Sequence, residues 1–400
     1  MSAAARPGPG ITEVPTAPDF SLVLGGPLFQ LLRRVRLTDD ALGAVHRRVV
    51  AAILVTWVPP VVLAALQGGL VGAGRTLPLL HDVQFHLRFL VAAPLLIIAE
   101  LIVHLRMSPI VAEFRGRDLV RPGQAARFDA ALDQAARWRN SVIAEAALFG
   151  LVYGLGALVV LPRYIAMGPG GWYALPSGGI SLAGAWFVFV SLPLLQFLLL
   201  RWYFRLVLWG RFLWRVSQLD LDLKATHPDK TGGLGFLAES INAFLPVAIA
   251  QGVLLSGMLA DRILFAGAKL TGFEIEVLAA TVILLLVFAG PLAVFAPRLA
   301  QVKRAGLREY GALGQVYVRE FQRKWMSGAP AGEPLVGSGD IQSLADLGNS
   351  YGAAEQMRFV PVQPKSLLAF VAAFLAPVLP LLLTMTSLEK LLGRLVSIVF

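Results

Sequence analysis

The sequence predicts an all-α, polytopic bundle of about seven transmembrane helices with helical extensions on the cytoplasmic side. Composition is the first observation behind this: over 400 residues, 56% are hydrophobic, only 15% are charged and the mean hydropathy is +0.69. That is too apolar for a soluble chain, and the surplus needs lipid to face. The second is length. The segments 49–71, 87–106, 140–161, 180–200, 243–260, 275–296 and 366–386 reach or approach the ~20 apolar residues that cross a hydrocarbon core. The third is charge: 28 of the 35 Lys and Arg fall in 1–48, 106–139, 201–242 and 298–365, and 6 in the alternate loops and the end of the chain. By the positive-inside rule the rich side is cytoplasmic, which puts the N-terminus inside and, for an odd number of spans, the C-terminus outside.

The chain then divides into a cytoplasmic segment (1–48), a six-span bundle (49–297), a cytoplasmic helix and linker (298–365), and a last span with its tail (366–400). The formal charge of +10 needs no nucleic acid, because juxtamembrane Lys and Arg gain about 1 kcal/mol each from anionic lipid headgroups. The bilayer is the expected partner; self-association and a cytoplasmic protein partner stay open. With no cysteine, disulfides, thiolate metal sites and cysteine nucleophiles are excluded. The first 48 residues lack a signal-peptide pattern, so the first span reads as a retained anchor.

Residues 1–19 are rich in Pro, Gly and Ala and read as disordered. From 27 to 37, apolar residues interleave with Arg33, Arg34 and Arg36, the pattern of a short helix lying in the inner interface or, equally, packed on the cytoplasmic domain. Thr38 with Asp39 and Asp40 then reads as the N-cap of the first membrane helix. The stretch 123–139 looks helical and able to run on into the third span. Loop 163–179 carries Trp172 and Tyr173, expected at the outer interface.

The fourth span continues without a breaker except Gly210 to residue 216. Along it Arg201, Arg205, Arg211 and Arg215 lie within an arc of about 120°, a basic face for lipid headgroups or another anion, with Trp202, Trp209 and Trp214 as an aromatic belt. The sixth span continues to 326, and Tyr310, Leu313, Tyr317, Phe321 and Trp325 form a stripe of the helix-packing kind. Residues 327–339 read as a linker, 340–360 as one or two short helices, and 388–400 as an interfacial tail too short to cross.

Ionisable residues inside spans are the best guide to function, since they are costly in lipid. Glu100 and Glu145 sit on neighbouring antiparallel helices, each about 8–9 Å inside the inner boundary. His104 lies one turn from Glu100, and Gln196 and Gln251 lie in the inner halves of their spans. Together they would line a cation or proton path; alternatively, the glutamates pair with Arg106, Arg139 or Arg201 and are structural. Prolines 59, 60, 94, 193, 246, 291, 377 and 380 bend or break six spans. The third span instead carries Gly150, Gly154 and Gly156, a small-residue face for close packing.

The run 226–237 (THPDKTGGLGFL) cannot be a continuous helix. It reads as a compact cytoplasmic elbow of His227, Asp229, Lys230, Gly232 and Gly233, in which Asp229 caps the next segment or the glycine amides cradle an anion. It is neither a Walker loop nor GxGxxG. This run, with the Lys-Leu-Leu-containing end of the chain, resembles a group of uncharacterised bacterial multi-pass inner-membrane proteins; the resemblance implies that location and no activity. HExxH and GxSxG are absent, and His81 with His86 beside Asp82 lacks helical metal spacing. No catalytic residue, metal site or cofactor is assigned. An ion or small-solute channel or transporter ranks first, a membrane scaffold or sensor second, and a lipid-acting enzyme third.

Overall fold

The computed structural model describes residues 21–35, 44–71, 77–156, 158, 171–175, 179–327, 332, 334 and 337–384. The expectations for 1–19, for the cap at 38–40 and for the tail 388–400 lie outside them, as does most of 163–179. In chain order the helices are α1 (Pro27–Arg34), α2 (Val45–Leu66), α3 (Val83–Gly116), α4 (Ala125–Arg139), α5 (Val142–Leu155), α6 (Leu182–Ser217), α7 (Leu245–Phe265), α8 (Leu270–Trp325), α9 (Gly339–Glu355) and α10 (Pro364–Thr384). Six of them (α2, α3, α6, α7, α8 and α10) are long and apolar enough to cross a membrane, and α5 is a shorter apolar helix where the third span was expected. Among the described residues there is no strand. The protein is an all-α, multi-pass integral membrane protein, and large apolar side chains such as Ile143, Leu278, Leu286 and Leu368 face outward, as a lipid-facing surface requires.

The prolines explain how the helices are tied together. A proline has no N–H, so the carbonyl four residues before it loses its helical donor, and in lipid that loss must be made good. Pro59 frees the carbonyl of Val55, which accepts from Trp186 Nε1 of α6 at 2.9 Å. Pro60 frees that of Thr56, which accepts from Ser191 Oγ at 2.7 Å. Pro193 frees the carbonyl of Phe189, taken by the Tyr153 hydroxyl of α5 at 3.3 Å. Pro246 frees that of Asn242, taken by Arg106 of α3 at 3.2 Å. Each break thus exposes an acceptor that a neighbouring helix uses. The strain is absorbed locally: π-helical turns, Leu87–Ala92 and Phe187–Ser191, precede Pro94 and Pro193, as is common where a helix must accommodate an extra residue.

Several expectations are corrected. α4 does not run on into α5, because Ser141 is extended (φ −71°, ψ 118°) and its Oγ accepts from the Ala144 N–H as a new N-cap. Gly150, Gly154 and Gly156 have open space beside them; close approach occurs instead at Gly252, where an added Cβ would lie 2.0 Å from the Phe374 carbonyl oxygen of α10. Trp202 and Trp209 are not an interfacial belt but are fully buried, Trp202 edge-on to Phe244 and Trp209 stacked on Phe212 of the same helix; Trp214 is exposed. Trp172 is also buried, edge-on to Phe85 and Phe187, with its Nε1 donating to Asp82 at 2.9 Å. Gly210 does not break α6; it lies against Pro291 of α8.

Outside the membrane, α8 carries on as predicted and α9 folds back along it. The stripe residue Tyr317 donates its hydroxyl to the Asp340 carbonyl, and Trp325 Nε1 and Lys324 Nζ donate to the Asp340 carboxylate at 3.0 and 2.7 Å. Helix packing accounts for these stripe positions, and residues 340–355 form one helix rather than two.

Candidate functional site

One end of the bundle contains a buried ion cluster centred on Glu100. Arg201 and Arg205 stand four residues apart on α6, which puts them on one face one turn apart. Both reach the same carboxylate oxygen of α3: Glu100 Oε1 accepts from Arg201 at 3.2 Å and from Arg205 at 2.7 Å. Its other oxygen accepts from Arg48, at the start of α2. Arg48, Glu100, Arg201 and Arg205 are each at most 6% exposed. Glu145, in the first turn of α5, sits 3.5 Å from Arg201 Nε and accepts the Leu28 backbone N–H of α1 at 2.7 Å. Helices far apart in the chain therefore meet at one group of charges.

Desolvating five charges is expensive, and only close, hydrogen-bonded pairing offsets it. The pairing here is incomplete. Three guanidinium groups face two carboxylates, and Arg48 Nε and Nη2 and Arg205 Nη1 are buried with no acceptor among the described residues. Above Arg48 and Glu100 lies a half-open cavity of about 300 Å³ whose remaining walls are almost wholly apolar, including Ala52, Phe89, Ala93, Ile97 and Leu198.

The residues expected to share a path are only partly brought together. Glu100 and Glu145 meet through Arg201, one of the three pairing partners anticipated; the other two, Arg106 and Arg139, instead bind the Asn242 and Ser21 carbonyls. His104 Nδ1 lies 2.9 Å from Ser21 Oγ. Gln251 donates to the Tyr203 hydroxyl at 2.7 Å, and Gln196 is half-buried on α6 outside the cluster. The basic face of α6 also splits. Arg201 and Arg205 turn inward to Glu100 because that carboxylate lies within their reach, so they do not face headgroups. Arg211 lies over the Trp138 ring of α4, 5.2 Å from its centroid, and Arg215 is half-buried further along. Arg48 was missed as a site residue because it was counted with the N-terminal segment. The signal was its place at the very start of an apolar run, opposite an intramembrane glutamate on the next helix.

The elbow is built around its own anion. Asp229 Oδ1 accepts the N–H groups of Thr231 and Gly233 at 2.7 and 3.2 Å, and Oδ2 accepts that of Gly235 at 2.8 Å. The amides suited to cradle an anion are thus filled from within, and Asp229 caps the turn that starts at Gly235. Partial burial raises the Asp229 pKa, but the three backbone donors and the neighbouring His227 outweigh it and hold the carboxyl below its usual range. Gly232 and Gly233 have φ of +68° and +100°, and Lys230 is also left-handed, a conformation only glycine adopts without cost. Lys230 anchors the elbow on the segment after α9: its Nζ donates to Gln356 Oε1 at 2.6 Å, and its carbonyl accepts the Arg358 N–H at 2.7 Å. Between elbow and α3 a cleft of about 720 Å³ carries Arg106 and Arg117 against Glu113 and Glu239.

Comparison with protein families, with curated proteins and with solved structures finds no match. The site is read from its own geometry.

Proposed function

We propose that this membrane protein admits an anionic ligand to the Arg48–Glu100–Arg201–Arg205 cluster in the cytoplasmic half of the bundle, and holds or passes it there. The observation that carries this is the surplus of guanidinium over carboxylate, with buried Arg48 donors unspent beside a cavity. A buried donor without an acceptor costs about 1–3 kcal/mol, which an incoming oxyanion would recover. Rings of arginine serve anion paths as rings of carboxylate serve cation paths. A cation drawn by Glu100 and Glu145 would find both already paired and would meet excess positive charge, so the charge of the expected solute is reversed from that of the sequence reading. The orientation goes with it: the basic segments face the cytoplasm, the N-terminus is inside, and the membrane is a bacterial inner membrane.

The test is transport and binding by the purified protein in liposomes. A panel of anions, monovalent cations and protons is offered to wild type and to Arg48→Gln. An anion-selective flux, or an anion-dependent rise in thermal stability, that is lost in a folded Arg48→Gln protein supports the reading. Cation flux unaffected by the substitution, or no response to any anion, overturns it.

A second reading, docking of a cytoplasmic protein on the helical hairpin, is favoured by the exposure of Leu313, Val316 and Val318 on the distal part of α8. Retention of a defined partner by wild type, and its release by Leu313→Glu, is the expected result.

A further inference from the structure

We infer that the ligand of this cluster is an anionic amphiphile, a carboxylate or phosphate headgroup carrying one acyl chain, lying with its head on Arg48 and its chain along the cavity. The inference rests on the anion reading above and adds the ligand's body to it. The cavity is charged at one end only. Arg48, Glu100 and Arg201 form that end, and from there the lining on α2 runs through Ala51, Ala52 and Val55 to Thr56. Eight residues of helix separate Arg48 from Thr56, about 12 Å at the helical rise. On α3 the lining runs from Glu100 back through Ile97 and Ala93 to Phe89. Both helices therefore grade from charge at the inner boundary to hydrocarbon toward the bilayer centre.

A small hydrated anion does not fit such a chamber. It would satisfy Arg48 and leave the apolar length of the cavity to be filled by something else. A ligand graded in the same direction as the cavity satisfies both ends, and its volume, about 300 Å³, falls at the small end of ligand sites, room for one chain rather than two. The half-open side lets the chain enter sideways from lipid. For a molecule already in the bilayer the tail gains little, because lipid is as apolar as the cavity wall. Discrimination must then come from the head, which is where the unspent donors are. For an amphiphile arriving from water the chain adds its own hydrophobic gain.

The experiment uses the full chain in nanodiscs of zwitterionic lipid, titrated with dodecanoate, dodecanol or acetate while thermal stability is followed. Dodecanoate is expected to raise the melting temperature, dodecanol to act about tenfold more weakly, and acetate to do nothing at the same concentration. Ala52→Phe, which narrows the cavity and leaves every arginine in place, is expected to abolish the dodecanoate effect. Acetate acting as well as dodecanoate overturns the amphiphile and leaves the anion reading standing. Dodecanol acting as well as dodecanoate overturns both, as does the absence of any response. The comparison of the three additives on wild type decides the matter even where Ala52→Phe fails to fold. Mass spectrometry of what wild type retains through delipidation distinguishes the source: an anionic single-chain lysophospholipid points to the bilayer, a free fatty acid to uptake from water.

Discussion

Replacing Glu100 by Gln removes one negative charge from the centre of three arginines and changes almost nothing in volume. Gln keeps one oxygen, which can still accept from Arg201 or Arg205, but its amide nitrogen carries donors and has to face one of the guanidinium groups. In wild type the two oxygens accept from Arg48, Arg201 and Arg205, and all four side chains are buried. Breaking one buried pair by removing a partner typically costs about 3–5 kcal/mol, because the other charge is left desolvated. Here the remaining carboxylate, Glu145, is nearest only to Arg201, so the upper part of that range is expected. Urea unfolding in neutral-detergent micelles, followed by tryptophan fluorescence, measures the difference directly. The double variant Arg48→Met with Glu100→Gln removes one charge of each sign and is expected to recover part of the loss, a coupling that a double-mutant cycle reads. A Glu100→Gln protein within about 0.5 kcal/mol of wild type, the usual scatter of neutral surface substitutions, would refute the claim that this carboxylate holds the cluster together.

Three other outcomes follow from the packing. Gly252→Ala is expected to force α7 away from α10 and cost about 1–3 kcal/mol, as overpacking does, while Gly150→Ala, inside α5 with open space beside it, is expected to raise stability in the same unfolding assay by about 0.5–1 kcal/mol. Ser191→Ala leaves the Thr56 carbonyl without the hydroxyl it accepts from and is expected to cost about 1–3 kcal/mol. The folded-state pKa of Asp229 is depressed, so its contribution to stability is present above the ordinary carboxylate pKa and is lost as pH falls through the lowered value. Protection of the Gly233 and Gly235 amides from hydrogen exchange, taken relative to the intrinsic rate at each pH, is accordingly expected to fall in acid more in wild type than in Asp229→Asn, which has already lost the charged acceptor; an equal fall in the two would count against it.

The fold was largely legible because its signals are one-dimensional. Apolar length marks a span whatever it packs against, and the continuation of α6 and α8 past the membrane showed in the absence of breakers. The site was legible only in part. Glu100 and Glu145 stood out by cost alone, but their partners depend on how helices rotate against each other, which periodicity along one helix does not encode. The four arginines on one face of α6 looked equivalent; what separates Arg205 from Arg211 is a carboxylate on another helix. The prolines told a similar story. Each was visible as a broken hydrogen bond, but the acceptors of Trp186, Ser191, Tyr153 and Arg106 could be named only once neighbouring helices were in place. The elbow shows the opposite limit, since its amides suited a ligand and the residue filling them was within the motif itself.

The Glu100 cluster also constrains how the chain is put into the membrane. A lone carboxylate or guanidinium at mid-helix is disfavoured at insertion by about 2.5–3.5 kcal/mol, so the order in which the charges arrive matters. Arg48 and Glu100 belong to consecutive membrane helices and can enter as a neutral hairpin. Glu145 follows on α5, and Arg201 with Arg205 arrive last, on one helix. Until α6 is in place, Glu145 has no guanidinium from this group; once it is, the cluster carries one surplus positive charge. Completion of the site is thus tied to entry of α6, and a chain truncated before it is left with one negative charge uncompensated in lipid.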